Sequence, residues 1–116
     1  MGASGVQLGT VFLLCPEATT SEVHRAAVKS GSSTLLTNLF TGRAARGIVN
    51  RLMRELGAMN AAVPAFPLAT AAIAPLRAAA EALGRDDFSP LWCGEDATGC
   101  REVPAGELIR ELTRDP

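Results

Sequence analysis

The sequence predicts an α/β fold of which this chain carries the C-terminal piece: one buried strand at the start, then helices. Three observations carry that reading. Gly5 to Leu14 (GVQLGTVFLL) is an uncharged apolar run with β-branched residues and glycines, closed by Pro16. That is the pattern of a strand buried on both faces of a parallel sheet. Thr19 and Glu22 follow at the spacing of a capping box, so strand passes to helix across a short loop, the half-unit of a βα architecture. Beyond them helical spacing dominates, yet a single parallel strand leaves backbone donors and acceptors without partners on both edges. The sequence offers that strand no strong neighbours, which is the physical ground for expecting a fragment.

The elements follow in order. The helix opened by Thr19 carries Val23, Ala26 and Ala27 on one face and stops near Gly31, a residue suited to a left-handed helix end. Thr34 to Phe40 (TLLTNLF) is a second, weaker strand candidate, and TGRAARG after it reads as a loop. Ile48, Val49, Leu52, Met53 and Leu56 fall on one helical stripe, ended by Gly57. Pro64 and Pro67 mark an extended link into an alanine-rich helix over Leu68 to Leu83, which Pro75 either kinks or divides. Asp86 to Gly94 is irregular and holds the single Trp, and Pro104 to Leu112 closes the chain with Leu108, Ile109 and Leu112 on one face.

Composition bounds the rest. At 116 residues the chain suffices for one small domain. Hydrophobic residues make 47% of it, but aromatics only 4%, with no Tyr; alanine buries little area, so the expected core is thin. A net charge of −1 gives no general attraction to nucleic acid or membrane surfaces. No basic leader with an apolar stretch and cleavage site opens the chain, and no apolar run nears the roughly 20 residues of a membrane span, so a cytoplasmic protein is expected. Cys15, Cys93 and Cys100 are odd in number and form no C-x-x-C pair, which predicts buried thiols in place of a disulfide frame or metal site. An unpaired Gly5–Leu14 strand would also invite self-association.

Several residues are candidates for chemistry. Gly9 inside a strand invites close approach of a phosphate to the backbone, with the Thr10 hydroxyl as an added donor; a bulge or tight packing explains the glycine equally well. His24, the single histidine, sits between Val23 and Arg25 and is expected on the surface of its helix. Arg43, Arg46, Arg51 and Arg54 form a basic stretch without interleaved aromatic residues, which points to ion pairing with the acidic C-terminal half and away from RNA. Cys93 and Cys100 lack His or acid partners at ligand spacing.

The ordered run of motifs sharpens this. Met1 to Cys15 (MGASGVQLGTVFLLC) resembles the last-strand region of FMN-dependent nitronate monooxygenases, with their G-V-Q-x-G-T-x-F-L pattern. Leu36 to Asn50 (LTNLFTGRAARGIVN) is similar to that family's T-x-x-F-T-G-R-P-A-R-G segment, and Pro64 to Leu76 (PAFPLATAAIAPL) to its P-A-Y-P-L…A-P-L stretch. Asp87 to Leu108 resembles its D-F…L-W-A-G-Q…R-E-x-P-A-x-E-L tail. Ala44 stands where the family has Pro, Phe66 where it has Tyr, and Cys93-Gly94-Glu95 where Ala-Gly-Gln is common.

The resemblance implies a TIM-type (β/α)8 barrel with FMN as cofactor. Residues 1–33 would be its last βα unit and residues 34–116 a mostly helical C-terminal extension. It implies oxidation of alkyl nitronates or propionate-3-nitronate with O2, Gly9 and Thr10 at the FMN phosphate, and Gln7 beside the cofactor. The family's catalytic histidine, Gly-Gly phosphate loop and flavin-ring contacts would precede Met1, so the chain alone is expected to be inactive. No catalytic residue is expected within it. The alternative expectation is a small helical interaction module without enzymatic activity.

Overall fold

In a computed structural model, residues 2–114 are described. The outer limits of the two expected segments, at Met1 and Pro116, lie outside them. The elements are a 3-10 turn at Thr10–Phe12, helix α1 at Glu22–Lys29, strands β1 at Thr34–Thr37 and β2 at Ala45–Ile48, then helices α2 at Arg51–Leu56, α3 at Leu68–Ala82 and α4 at Ala105–Leu112.

The expected strand at Gly5–Leu14 is not formed, and this is the main correction to the sequence reading. Residues 2–9 are exposed and irregular. The chain then closes local bonds, with Phe12 N donating to Gly9 O at 3.1 Å and Leu13 N to Thr10 O at 3.0 Å. A parallel ladder needs at least one neighbouring strand, and among the described residues none is offered to this run. Its apolar end still finds the core, since Leu14 and Cys15 are buried.

The sheet lies elsewhere. β1 and β2 pair antiparallel, with Thr34 opposite Ile48 and Thr37 opposite Ala45. Thus the expected Thr34–Phe40 strand forms only over Thr34–Thr37, and its partner takes the last three residues of the segment read as a loop together with Ile48. Leu91–Cys93 adds a further rung on the far edge of β2: Ile48 N donates to Leu91 O at 2.8 Å and Cys93 N to Arg46 O at 3.2 Å. Gly47 permits this approach, since a Cβ there would stand 3.1 Å from Leu91 O.

Helix α1 begins later than the capping box suggests. Its N-cap is Ser21, whose hydroxyl accepts from His24 N, and Gly31 ends the turn after it at φ +68°. Helix α2 is shorter than its stripe because Ile48 belongs to β2. Asn50 caps it by accepting from Met53 N, while its Nδ2 donates to Asp86 O and Ser89 O at 3.0 and 2.9 Å. Helix α3 runs unbroken through Pro75 and buries only Ala69 and Ala80, the thin burial that its alanines predict.

Two hydrophobic clusters result. One joins Leu14, Ala27, Val28, Ile48, Leu91 and Cys93, so it unites α1 with β2 across the expected division at residue 33. The other holds Leu39, Phe40, Leu52 and Met53, with Ile73, Phe88 and Trp92 packed against it. Among the described residues, no helix is long and apolar enough to cross a membrane.

Candidate functional site

The candidate phosphate turn is held to the rest of the fold through Thr10. Its hydroxyl oxygen accepts from Gly94 N at 2.8 Å, and its carbonyl accepts from the Cys100 thiol at 3.1 Å. The hydroxyl proton of Thr10 is left to donate, because its contact to Gly94 uses a lone pair. Gln7 and Gly9 are exposed. A Cβ on Gly9 would meet nothing within 4 Å, so neither a bulge nor tight packing accounts for this glycine in the structure.

Sequence reasoning missed the residue that shapes the segment after this turn. Arg25, half-buried on α1, donates from Nη1 to Leu14 O at 2.9 Å and from Nη2 to Cys15 O and Ala18 O, both at 2.9 Å. Its Nε donates to Thr20 O at 3.1 Å. A single guanidinium thereby gathers four carbonyls of one loop, a use of its planar fork that nothing in the spacing of the sequence announces.

His24 is not the surface residue expected. It is half-buried, and its Nε2 lies 2.9 Å from Trp92 O. A carbonyl only accepts, so Nε2 carries the proton of the neutral ring. Burial lowers its pKa from 6.5; the Trp92 carbonyl opposes that, and the nearby Arg77 charge adds to it. With the folded-state value below the unfolded one, the native state binds fewer protons between the two. Stability is therefore complete above about pH 6.5 and falls as pH drops below it, by at most about 1.4 kcal/mol per pH unit. Urea titrations at pH 7.5 and 5.5 are expected to show lower stability at the acid value, with the difference largely removed in His24→Gln. An equal difference in both proteins would assign the effect to other groups.

The basic stretch is mostly engaged within the fold. Arg46 pairs with Glu95 at 3.0 Å and also donates to Thr34 Oγ1. Arg51 pairs with Glu55 at 2.7 Å and approaches Asp87 at 3.9 Å. Arg43 lies 4.0 Å over the centroid of the Phe66 ring. Pairing with later acids, as expected, holds for Arg46 and Arg51. Glu95, which departs from the resembled pattern, is thus the partner of Arg46. Cys15 and Cys93 are buried thiols and Cys100 is partly so. Burial pushes the Cys93 and Cys100 thiols up, which keeps them protonated and poor as nucleophiles.

The residues present fit one edge of a phosphate group. Gly9 leaves the backbone open, and Thr10 brings a hydroxyl donor fixed through Gly94.

A family model described as "Nitronate monooxygenase" matches residues 1–115. The nitronate monooxygenase of Pseudomonas aeruginosa is 40% identical over 118 residues, covering 99% of this chain and 34% of that protein. A probable nitronate monooxygenase of Staphylococcus aureus is 30% identical over 114 residues, covering 97% of this chain and 32% of that protein. Among solved structures, nitroalkane oxidase from Streptomyces ansochromogenes superposes with a TM-score of 0.77 at 39% identity, over 91% of this chain and 30% of that one. The chain therefore spans about a third of the length of the curated relatives it matches.

Proposed function

Since this chain belongs to the nitronate monooxygenase family, we propose that it forms the C-terminal part of an FMN-dependent enzyme that oxidises alkyl nitronates, propionate-3-nitronate among them, with O2. The observation that carries this reading is the match along residues 1–115, which includes the Gly9-Thr10 turn. In this reading residues 1–33 complete a TIM-type barrel and residues 34–116 form the extension packed on it. FMN, when bound, would supply the redox chemistry between the nitronate and O2.

The part of this chain is binding. Gly9 keeps the backbone open to the FMN phosphate, the Thr10 hydroxyl donates to a phosphate oxygen, and Gln7 lies beside the cofactor. The Gly94 N–H holds the Thr10 oxygen in place, so the donor direction is set before the anion arrives, a saving in ordering on binding. None of these groups moves a proton from carbon, and turnover needs a base from outside the chain. We infer that the chain alone neither retains FMN nor consumes O2. The exposed Val6 and Leu8 (83% and 48%) are the residues through which self-association would run.

A chimera tests the proposal: this chain in place of the matching third of the Pseudomonas aeruginosa relative. It is expected to purify with bound FMN and to take up O2 with an alkyl nitronate. Thr10→Val, which keeps shape and removes the hydroxyl, is expected to weaken FMN about tenfold, the loss of one charge-assisted hydrogen bond. A well-folded chimera without flavin would sink the proposal. The reading as a helical interaction module would be favoured by that same result.

A further inference from the structure

A cavity of about 230 Å³ lies between α3 and the segment that carries Trp92. Phe40, Ile73, Ala74, Pro90 and Trp92 make its walls, and Arg77 is its charged residue. Phe40 and Trp92 meet edge to face, with ring centroids 5.8 Å apart, which gives a rigid aromatic side. The two threonines in the lining have no hydroxyl proton to offer: Thr70 Oγ1 donates to Phe40 O at 3.0 Å and Thr41 Oγ1 to Arg43 O at 3.2 Å.

Arg77 is different. Its Nε donates to Glu81 Oε1 at 2.7 Å, and among the described residues neither terminal nitrogen has an acceptor within the protein. Glu81 is in turn held by the Ser89 hydroxyl at 2.6 Å on the same oxygen. That bond, with Arg77 assisting, keeps its carboxyl below the usual range and ionised. The Arg77–Glu81 pair thus fixes the guanidinium while leaving its outer fork, two parallel N–H groups, uncommitted. Such a fork matches an anion with two coplanar oxygens. Because Glu81 offsets the net charge, recognition rests on that geometry and on the apolar walls more than on long-range attraction.

We propose that this cavity binds a small planar anion with two oxygens and a short apolar tail, the two oxygens on the Arg77 fork and the tail against Phe40, Ile73 and Trp92. The volume lies below the roughly 300–1,000 Å³ of pockets for drug-sized ligands, which limits the guest to a few heavy atoms. Carboxylates and alkyl nitronates share this chemistry, one as a metabolic acid and the other as the substrate class proposed above. The lining residues named are all of this chain, and the proposal does not rest on the FMN reading.

Trp92 is the one tryptophan and the chain has no tyrosine, so intrinsic fluorescence reports on this cavity directly. The 116-residue chain is titrated with butyrate, with propyl-1-nitronate and with neutral butyramide at fixed ionic strength. Saturable change with either anion, and none with butyramide, is expected. Arg77→Met is expected to weaken binding about tenfold or more, the loss of a bidentate contact. Ala74→Leu fills the cavity from an exposed position without touching a hydrogen bond and is expected to abolish saturation; it decides the matter if Arg77→Met fails to fold by circular dichroism. Response to the nitronate alone assigns the site to the substrate class, and response to both or to butyrate alone assigns it to acids more broadly. Absence of saturation with both anions, or saturation unchanged in Ala74→Leu, overturns the proposal.

Discussion

Gly42→Ala is expected to lower the thermal midpoint by about 10 °C or more, the equivalent of roughly 3 kcal/mol in a chain of this size. Two costs combine there. Gly42 sits at φ +86°, where an L side chain meets its own backbone at about 1–2 kcal/mol. A Cβ would also stand 2.5 Å from Phe66 N, 2.7 Å from Pro64 O and 2.9 Å from Ala65 C. All three are backbone atoms, so no side chain can rotate away. The link they belong to leads directly into α3, with Leu68 N bonded to Ala65 O at 2.8 Å. Gly84→Ala is the control, because Gly84 has φ +70° with open space around it. It should lose only the conformational part. Equal losses in the two variants would show that the contact with the 64–66 link is not what fixes Gly42.

That contrast marks where the sequence could be read and where it could not. Gly31 and Gly57 follow apolar stripes and were legible as helix ends from spacing alone. Gly42 lies in a segment whose role is set by a link 22 residues away, so its constraint is tertiary and invisible to local patterns. The same holds for the strands. Thr34–Thr37 was legible from its β-branched and apolar residues, whereas Ala45–Ile48 has two small residues and an arginine and becomes a strand only through its partners β1 and Leu91–Cys93. Conversely, Gly5–Leu14 has the composition of a strand, but composition cannot supply neighbours, and the run takes the local bonds of a 3-10 turn.

The candidate site divides in the same way. The Gly9-Thr10 pair stood out because glycine in an apolar β-favouring run needs an explanation, and the ordered motifs around it pointed to one family. The Gly94 N–H that fixes Thr10 lies 84 residues further on, beyond any spacing rule. His24 shows the reverse error. Flanked by a charged residue in a polar helix, it read as a surface group, and only the return of Trp92 against α1 gives its ring a carbonyl partner. Arg77 carried no signal at all, since an (i, i+4) pair with Glu81 is common on exposed helices.

Arg25→Met should cost about 3 kcal/mol and loosen the loop between the Thr10 turn and α1 while leaving α1 itself helical. The side chain makes four hydrogen bonds to the carbonyls of Leu14, Cys15, Ala18 and Thr20. Bonds to a charged donor are worth about 1.5–3 kcal/mol each, but they share one guanidinium and do not add. Thr20 and Ala18 are partly exposed and regain water when the guanidinium goes; Leu14 and Cys15 are buried, so their carbonyls bear most of the loss. Lysine keeps the charge but has a compact ammonium that cannot span four acceptors. Arg25→Lys is therefore expected to recover less than half of the stability. Urea titration gives the totals, and amide hydrogen exchange locates them. Cys15 N and Ala18 N, which bond to Phe12 O and Cys15 O at 3.1 and 3.0 Å, should exchange faster in both variants, while Ser30 N at the end of α1 should not. If Arg25→Lys matched the parent in both measurements, positive charge near the loop would suffice and the fork would have no part in holding it. If exchange rose equally at Ser30, the guanidinium would be supporting α1 as a whole, and the loop would owe its shape to the burial of Leu14 and Cys15.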